Sequence, residues 1–337
     1  MKVQAVLFPA PWKVEFAERD LDEASMSADQ VLVETECSVV SAGTELAILS
    51  GGENWAKLPF VPGYGAVGRV LKAGKDVKDF KPGDRVFYHG PHQSKSFARG
   101  LLLLVPDGLD PQDAVLARMG QVAFTSVRAS GVELGDTVAV QGLGLVGNFA
   151  AQLFTLAGCT VIGIDVSEKR LAAARACGVA HTVNSKTQDA EQAVRAITGG
   201  QLCEAVVEAT GVSDLAVTAA RLCGPGGKVV LLGTPRAKFA GDGLDLLRRI
   251  HISSFNVTFT GGHEWRYPLL QAQAGAQKHS IERNVRQLLS SIKDGRLKLK
   301  PLVTHVLPPQ KCVEVYEALK NRNEDYVGVV FDWRSNT

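Results

Sequence analysis

Three glycines, Gly142, Gly144 and Gly147 in the run QGLGLVGNFA, carry the clearest chemical signal in the chain. Their spacing is that of a dinucleotide-binding (Rossmann) loop, and the context fits, because TVAVQG before them reads as a strand and NFAAQLF after them as a helix. In such a loop the first glycine permits a tight turn, the second lets the backbone approach a pyrophosphate, and the third lets helix and strand pack closely. The pyrophosphate would rest on the helix N-terminus, where unpaired N–H groups and the dipole favour negative charge. Leu145 and Val146 complete the loop. Asp165 ends the next strand, where a carboxylate accepts hydrogen bonds from ribose hydroxyls and repels a 2′-phosphate, so the expected cofactor is NAD rather than NADP. Asp165 could instead cap the helix SEKRLAAARA. Ser167 is better placed to cap, so Asp165 is assigned to the ribose. Arg170 is within reach of the adenine, or is part of a solvated helix face. Thr210, Gly233 and Thr234, at the ends of two later strands, are assigned to the same cofactor site.

The elements that must position this loop can also be read. From Asp136 strands and helices alternate, in the order TVAVQG, NFAAQLFTLAG, TVIGID, SEKRLAAARACG, HTVN, a polar helical stretch to Ile197, CEAVVEATG, LAVTAARLCG, GGKVVLLGT, LDLLRRI and FNVTFTGG. Near-continuous apolar strands alternating with helices imply a parallel sheet covered on both faces, and right-handed crossovers make it doubly wound. The first hundred or so residues read differently, as short β-type runs such as VLV, VGRV and RVFY bounded by Gly, Pro or Asp. A helical stretch, DAVLARMGQVAFTSVRAS, follows and stops at Gly131. After about Glu264 come a helix in IERNVRQLLSSIKDG, a strand LVTHVL, a helix around VEVYEALKN and a strand YVGVVFDW. The expected fold is therefore α/β. Residues 118–264 form the nucleotide domain, and 1–117 with 265–337 form a β-rich domain around it.

Composition excludes several classes. The 337 residues hold 37 Lys plus Arg against 35 Asp plus Glu, and a net charge of +2 gives no field to draw nucleic acid or an anionic membrane. The N-terminal MKVQAVLFPAPWKVEF lacks a signal-peptide core, and no apolar run approaches a membrane span, so a cytoplasmic protein is expected. The six cysteines are scattered without a CxxC, which reads as buried thiols rather than a disulfide framework.

Four further segments extend the picture. VPGYGAVGRV, FKPGDRV, ELGDTVAVQGLGLVG and DGRLKLKPLVTH resemble signature segments of the medium-chain dehydrogenase/reductase superfamily, along nearly the whole chain. The resemblance implies a GroES-like, β-rich catalytic domain with an inserted Rossmann domain, oxidoreductase activity on a small-molecule substrate, and a homodimer or homotetramer. The departures are specific. Zinc members carry a Cys before a Gly-Thr/Ser-Asp run, whereas this chain has Ala42 in SAGTEL. Their His-Glu pair corresponds to Tyr64 and Gly65, and the third ligand position, near Met119–Val122, offers no Cys, His, Asp or Glu. The four clustered cysteines of the structural zinc lobe are also absent from FYHGPHQSKSFARG. Catalytic zinc needs three protein ligands and structural zinc four, so no zinc is expected.

Without a metal, a side chain must move the alcohol proton. By the resemblance, Thr44 matches a proton-relaying hydroxyl, or is a small turn residue; Glu45 matches a carboxylate near the metal, or simply bonds backbone or Arg; and Tyr64 replaces a ligand His, where its phenol donates to a developing alkoxide or fills the vacated metal space. His89 and His92, in YHGPHQSK where a strand gives way to a loop, are candidate acid/base groups or simple loop histidines. The leading expectation is an NAD-dependent dehydrogenase of a secondary alcohol such as a sugar, cyclitol, polyol or biosynthetic intermediate. An NADPH-dependent enoyl or quinone reductase and a non-catalytic nucleotide-binding protein are the alternatives.

Overall fold

The computed structural model describes residues 1–239, 241, 243–273 and 275–334. The chain divides into two compact units. One comprises Met1–Arg118, Tyr267–Asp294 and Val303–Thr337, the other Met119–Arg266 and Gly295–Leu302. The last three residues of the expected 265–337 segment lie outside the described residues.

In the second unit six strands, numbered in their own chain order, lie side by side as 3-2-1-4-5-6. All neighbours are parallel, from Thr137–Gln141 at the centre to His181–Asn184 and Thr258–Gly261 at the edges. The central strands are apolar on both faces because helices cover both: Val138, Ala139, Val140, Val206 and Val207 are all fully buried. The order reverses between Thr137–Gln141 and Cys203–Glu208, the position where open α/β sheets hold ligands at their strands' carboxyl ends.

The other unit is built on the strand Val31–Val39, which pairs antiparallel with Ala66–Ala73, Lys95–Ala98 and Gly328–Asp332. Its core gathers Phe8, Ile48, Leu49, Tyr316, Phe331 and Trp333 from distant stretches of chain. Among the described residues no helix is long and apolar enough to cross a membrane.

Three expectations are corrected here. The β-rich N-terminal part contains an eight-residue helix, Ala42–Leu49. The helix expected over LAVTAARLCG stops at Ala219, because Cys223 is drawn into a parallel ladder opposite Cys203. Finally, Gly295–Leu302 belongs with the nucleotide sheet rather than the catalytic tail. There the buried Gln152 amide donates to the Lys298 carbonyl at 3.1 Å and accepts from its N–H at 2.7 Å.

Candidate functional site

The glycine loop follows the central strand Thr137–Gln141 of the second unit. Gly142 has φ +89°, a conformation in which a side chain is strained, and an added Cβ would lie 2.6 Å from Thr210 Cγ2. A Cβ on Gly147 would lie 1.8 Å from the Gly142 carbonyl oxygen, so only glycine lets the helix Leu145–Leu156 start against the turn. The helix begins inside the loop, earlier than the expected NFAAQLF. Its N-cap is Gly144, which has no side chain to cap the first N–H groups. Backbone donors at a helix N-terminus without a side-chain cap are what a phosphate requires.

Asp165 is 6% exposed and stands beside this loop, its Oδ2 accepting from Leu143 N at 2.7 Å. Its Oδ1 accepts from Ser167 N at 2.9 Å, and Arg170 Nη1 lies 3.8 Å from Oδ2. The division of labour expected between Asp165 and Ser167 is therefore revised. Ser167 occupies the cap position of Glu168–Ala176 with no side-chain capping bond, and it is Asp165 that orders the turn. Each carboxylate oxygen carries a second lone pair, so these bonds leave acceptor capacity for a ribose. Leu145 is buried and Val146 half-buried. Thr210, Gly233 and Thr234 follow the adjacent strands Cys203–Glu208 and Cys223–Leu231 at the same sheet edge. Sequence reasoning missed Glu208, a fully buried carboxylate that accepts from Thr210 N at 2.7 Å and Gly211 N at 3.1 Å. It also accepts from the Thr210 hydroxyl. A Cβ on Gly233 would lie 2.2 Å from Gly211 N, so the two loops touch through backbone.

The catalytic candidates lie in the first unit. Ser41 is the N-cap residue of Ala42–Leu49, yet its hydroxyl caps nothing. It accepts instead from the Tyr64 phenol. Thr44 lies half-buried in the first turn of the same helix. Arg118 lies under the Tyr64 ring, its guanidinium carbon 4.4 Å from the centroid. Burial is the largest influence on the phenol and raises its pKa above the ordinary 10, while Arg118, Ser41 and Thr44 pull it down and Glu45 pushes it up. Tyr64 therefore holds its proton through the neutral range.

His92, an expected acid/base candidate, is placed differently, and Glu45 bonds backbone beside it. His92 and Glu45 are both 0% exposed. Glu45 Oε1 accepts from Ser41 N at 2.9 Å and Oε2 from the Tyr316 hydroxyl at 2.5 Å. His92 Nε2 lies 3.3 Å from Glu45 Oε1, and Nδ1 lies 2.7 Å from Ser38 Oγ, which also accepts from Trp333 Nε1 at 2.9 Å. The indole can only donate, so the network is satisfied when Ser38 donates to Nδ1 and His92 carries its proton on Nε2, toward Glu45. The Phe331 ring meets the imidazole edge-on at 5.1 Å. With every polar atom engaged and no solvent contact, both groups form a framework behind Tyr64. His89 is half-buried after Arg85–Tyr88, with Phe87 edge-on at 6.5 Å.

These residues do not fit zinc. Among the described residues no three His, Cys, Asp or Glu side chains gather into a metal-holding group. All six cysteines are buried, and burial pushes the thiols up, Cys177 and Cys312 to about 11 and Cys203 and Cys223 to about 12. Beside Tyr64, an added Cβ at Gly65 would meet Arg118 Cγ at 2.4 Å, so an acidic ligand at 65 could not coexist with Arg118 as placed.

Residues 27–101 match the alcohol dehydrogenase GroES-like domain family, and residues 146–273 the zinc-binding dehydrogenase family. The chain belongs to the medium-chain dehydrogenase/reductase superfamily. Within it, D-guloside 3-dehydrogenase of Escherichia coli (strain K12) is 31% identical over 206 residues, 60% of this chain. The match spans only 58% of that relative's length. Sorbitol dehydrogenase of Bacillus subtilis (strain 168) is 26% identical over 243 residues, covering 61% of this chain and 69% of the relative. The structure of galactitol-1-phosphate dehydrogenase from Escherichia coli superposes with a TM-score of 0.85 at 18% identity, covering 98% of this chain and 99% of that one. Such a likeness establishes the shared fold, a GroES-like part and a parallel Rossmann sheet.

Proposed function

We propose that the protein is a zinc-independent, NAD-dependent dehydrogenase that interconverts a secondary alcohol and a ketone, its substrate a sugar, cyclitol or other polyol. The observation that carries this reading is Asp165, a buried carboxylate beside the glycine loop where a 2′-phosphate would meet negative charge. Relatives named for D-guloside and sorbitol support the polyol class. Gly142, Gly144 and Gly147 with the N–H groups of Leu145 and Val146 would hold the pyrophosphate, and Asp165 the adenosine ribose, with Arg170 beside it. Thr210, Gly233 and Thr234 would border the rest of the dinucleotide.

Bound NAD supplies the hydride acceptor for alcohol oxidation, and its reduced form the donor for the reverse. Tyr64 serves as the proton donor when a ketone is reduced, giving its phenolic proton to the oxygen as negative charge develops there. Ser41, bonded to that phenol, and Thr44 in the same helical turn return a proton to it. Glu45 and His92 keep Ser41 in place and touch no substrate.

The test is a titration of chelator-treated protein with NAD and NADPH, followed by a panel of polyols. Tighter binding of NAD and metal-free turnover of a polyol support the reading; an NADPH preference, or activity that returns only with zinc, overturns it. Gly147→Ala forces the helix start off the Gly142 carbonyl. Overpacking of this kind costs about 1–3 kcal/mol, so NAD binding is expected to weaken about ten- to hundredfold by calorimetric titration.

A further inference from the structure

Arg118 is 3% exposed and sits in the first turn of the helix Ala117–Ser130, an end where the helix dipole disfavours a cation. Burying a guanidinium is costly, so its setting calls for a reason beyond helix stability. Its side chain meets Tyr64 twice: Nε donates to the Tyr64 carbonyl at 3.1 Å, and the guanidinium carbon lies 4.4 Å from the Tyr64 ring centroid. Its stem passes over Gly65, where any Cβ would lie 2.4 Å from Arg118 Cγ and 2.6 Å from its Cβ. Tyr64, Gly65 and Arg118 thus form one interlocked group: the glycine makes the space, the arginine fills it, and the tyrosine lies across the charge.

We propose that Arg118 is the positioning residue of the Tyr64 site, a fixed positive charge beneath the ring that stabilises the phenolate left when Tyr64 hands its proton to the substrate oxygen. This rests on the reading of Tyr64 as proton donor. In ketone reduction by a reduced nicotinamide dinucleotide, hydride forms the new C–H bond and the carbonyl π pair moves to oxygen. The Tyr64 O–H bond breaks, its proton goes to that oxygen, and its electron pair stays on the phenolate until a proton from solvent returns through Ser41. Glu45 is the opposing charge near the phenol, and burial also works against the phenolate. Arg118 is the cation that offsets both. A guanidinium also suits the task because it stays charged when buried, which an ammonium does not reliably do.

The experiment reads the phenol itself. The chain has five tyrosines, so the alkaline ultraviolet titration of the native protein minus that of Tyr64→Phe isolates Tyr64. Arg118→Gln keeps a donor for the Tyr64 carbonyl but removes the charge; it is expected to move the Tyr64 titration up by about one pH unit, tenfold in ionisation constant. Arg118→Lys, which keeps the charge, is expected to stay nearer the parent. In turnover, Arg118→Gln should lower kcat for ketone reduction about tenfold with KM little changed. A folded Arg118→Gln whose Tyr64 titrates as in the parent overturns the proposal, as does an Arg118→Lys that shifts as far as Arg118→Gln. If Arg118→Gln does not melt cooperatively, Arg118→Met is the neutral replacement judged by the same titration. A protein that turns over no alcohol defeats the dehydrogenase reading and leaves the titration to decide Arg118; turnover with an unmoved titration defeats Arg118 alone.

Discussion

Tyr64→Phe is expected to lower turnover about 10²- to 10⁴-fold, the usual worth of a positioned general acid or base. The change is narrow: phenylalanine keeps the ring over Arg118 and removes only the hydroxyl bonded to Ser41. NAD binding should be unaffected, because the glycine loop and Asp165 belong to the other unit. Stability should fall by only about 1 kcal/mol, one hydrogen bond's worth. The pH dependence gives a second readout. Burial raises the Tyr64 phenol above its ordinary 10, so it remains a proton donor throughout the neutral range. Ketone reduction should stay flat from about pH 6 to 9 and decline only above the raised value, while alcohol oxidation should climb across the alkaline range. A profile with a limb near pH 6.5, the ordinary value for imidazole, would transfer the role to a histidine, with half-buried His89 first in line. Full turnover by Tyr64→Phe would remove the proposed acid altogether.

The two halves of the chemistry were unequally legible in the sequence. The cofactor half is local: Gly142, Gly144 and Gly147 are close neighbours, the strand before them and the helix after them have clear patterns, and Asp165 ends the very next strand. Even so, Glu208 escaped notice, because its value lies in a loop that folds back onto its own carboxylate. The catalytic half is assembled from Ser38, Ser41, Tyr64, His92, Arg118, Tyr316 and Trp333, and no periodicity links such scattered positions. Tyr64 was found only because a family position pointed to it. Ser41 and Arg118 had no such pointer; a serine before a helix reads as a cap, and its hydroxyl is diverted to the phenol only in three dimensions. His92 looked like a loop histidine, and indeed it is in a loop, but Ser38, Phe331 and Trp333 close over it from elsewhere in the chain. The helix Ala42–Leu49 went unread because Gly43 and Thr44 dilute its start and its apolar residues follow no stripe. Gly295–Leu302 was misassigned because the residue that holds it, Gln152, is a polar side chain within an otherwise apolar helix.

Glu45→Ala should be the most destabilising change in the catalytic unit, at about 3–5 kcal/mol by chemical denaturation. The carboxylate is fully buried and is the shared acceptor for Ser41 N, the Tyr316 hydroxyl and the His92 Nε2–H. Alanine leaves all three donors facing apolar core with no water to replace the partner. Glu45→Gln should lose less than half as much. It preserves shape, its carbonyl still serves one donor, and the Tyr316 hydroxyl can turn to accept from the new amide. The pair also imprints a pH dependence. Burial, and then the charge and hydrogen bond of Glu45, push the Tyr316 phenol well above its ordinary 10. The folded state thus holds that proton more tightly than the unfolded chain. The stabilisation is complete below about pH 10, the unfolded value, and is lost as pH rises toward the folded one. In Glu45→Gln the charge is gone and this alkaline loss should flatten. Damage should also reach the chemistry, because Glu45 fixes the N–H of Ser41, whose hydroxyl holds the Tyr64 phenol. A folded Glu45→Gln is therefore expected to lose turnover without losing NAD binding. A Glu45→Ala variant as stable as its parent would show that the carboxylate is not the hub that joins the helix Ala42–Leu49 to the helix Cys312–Lys320.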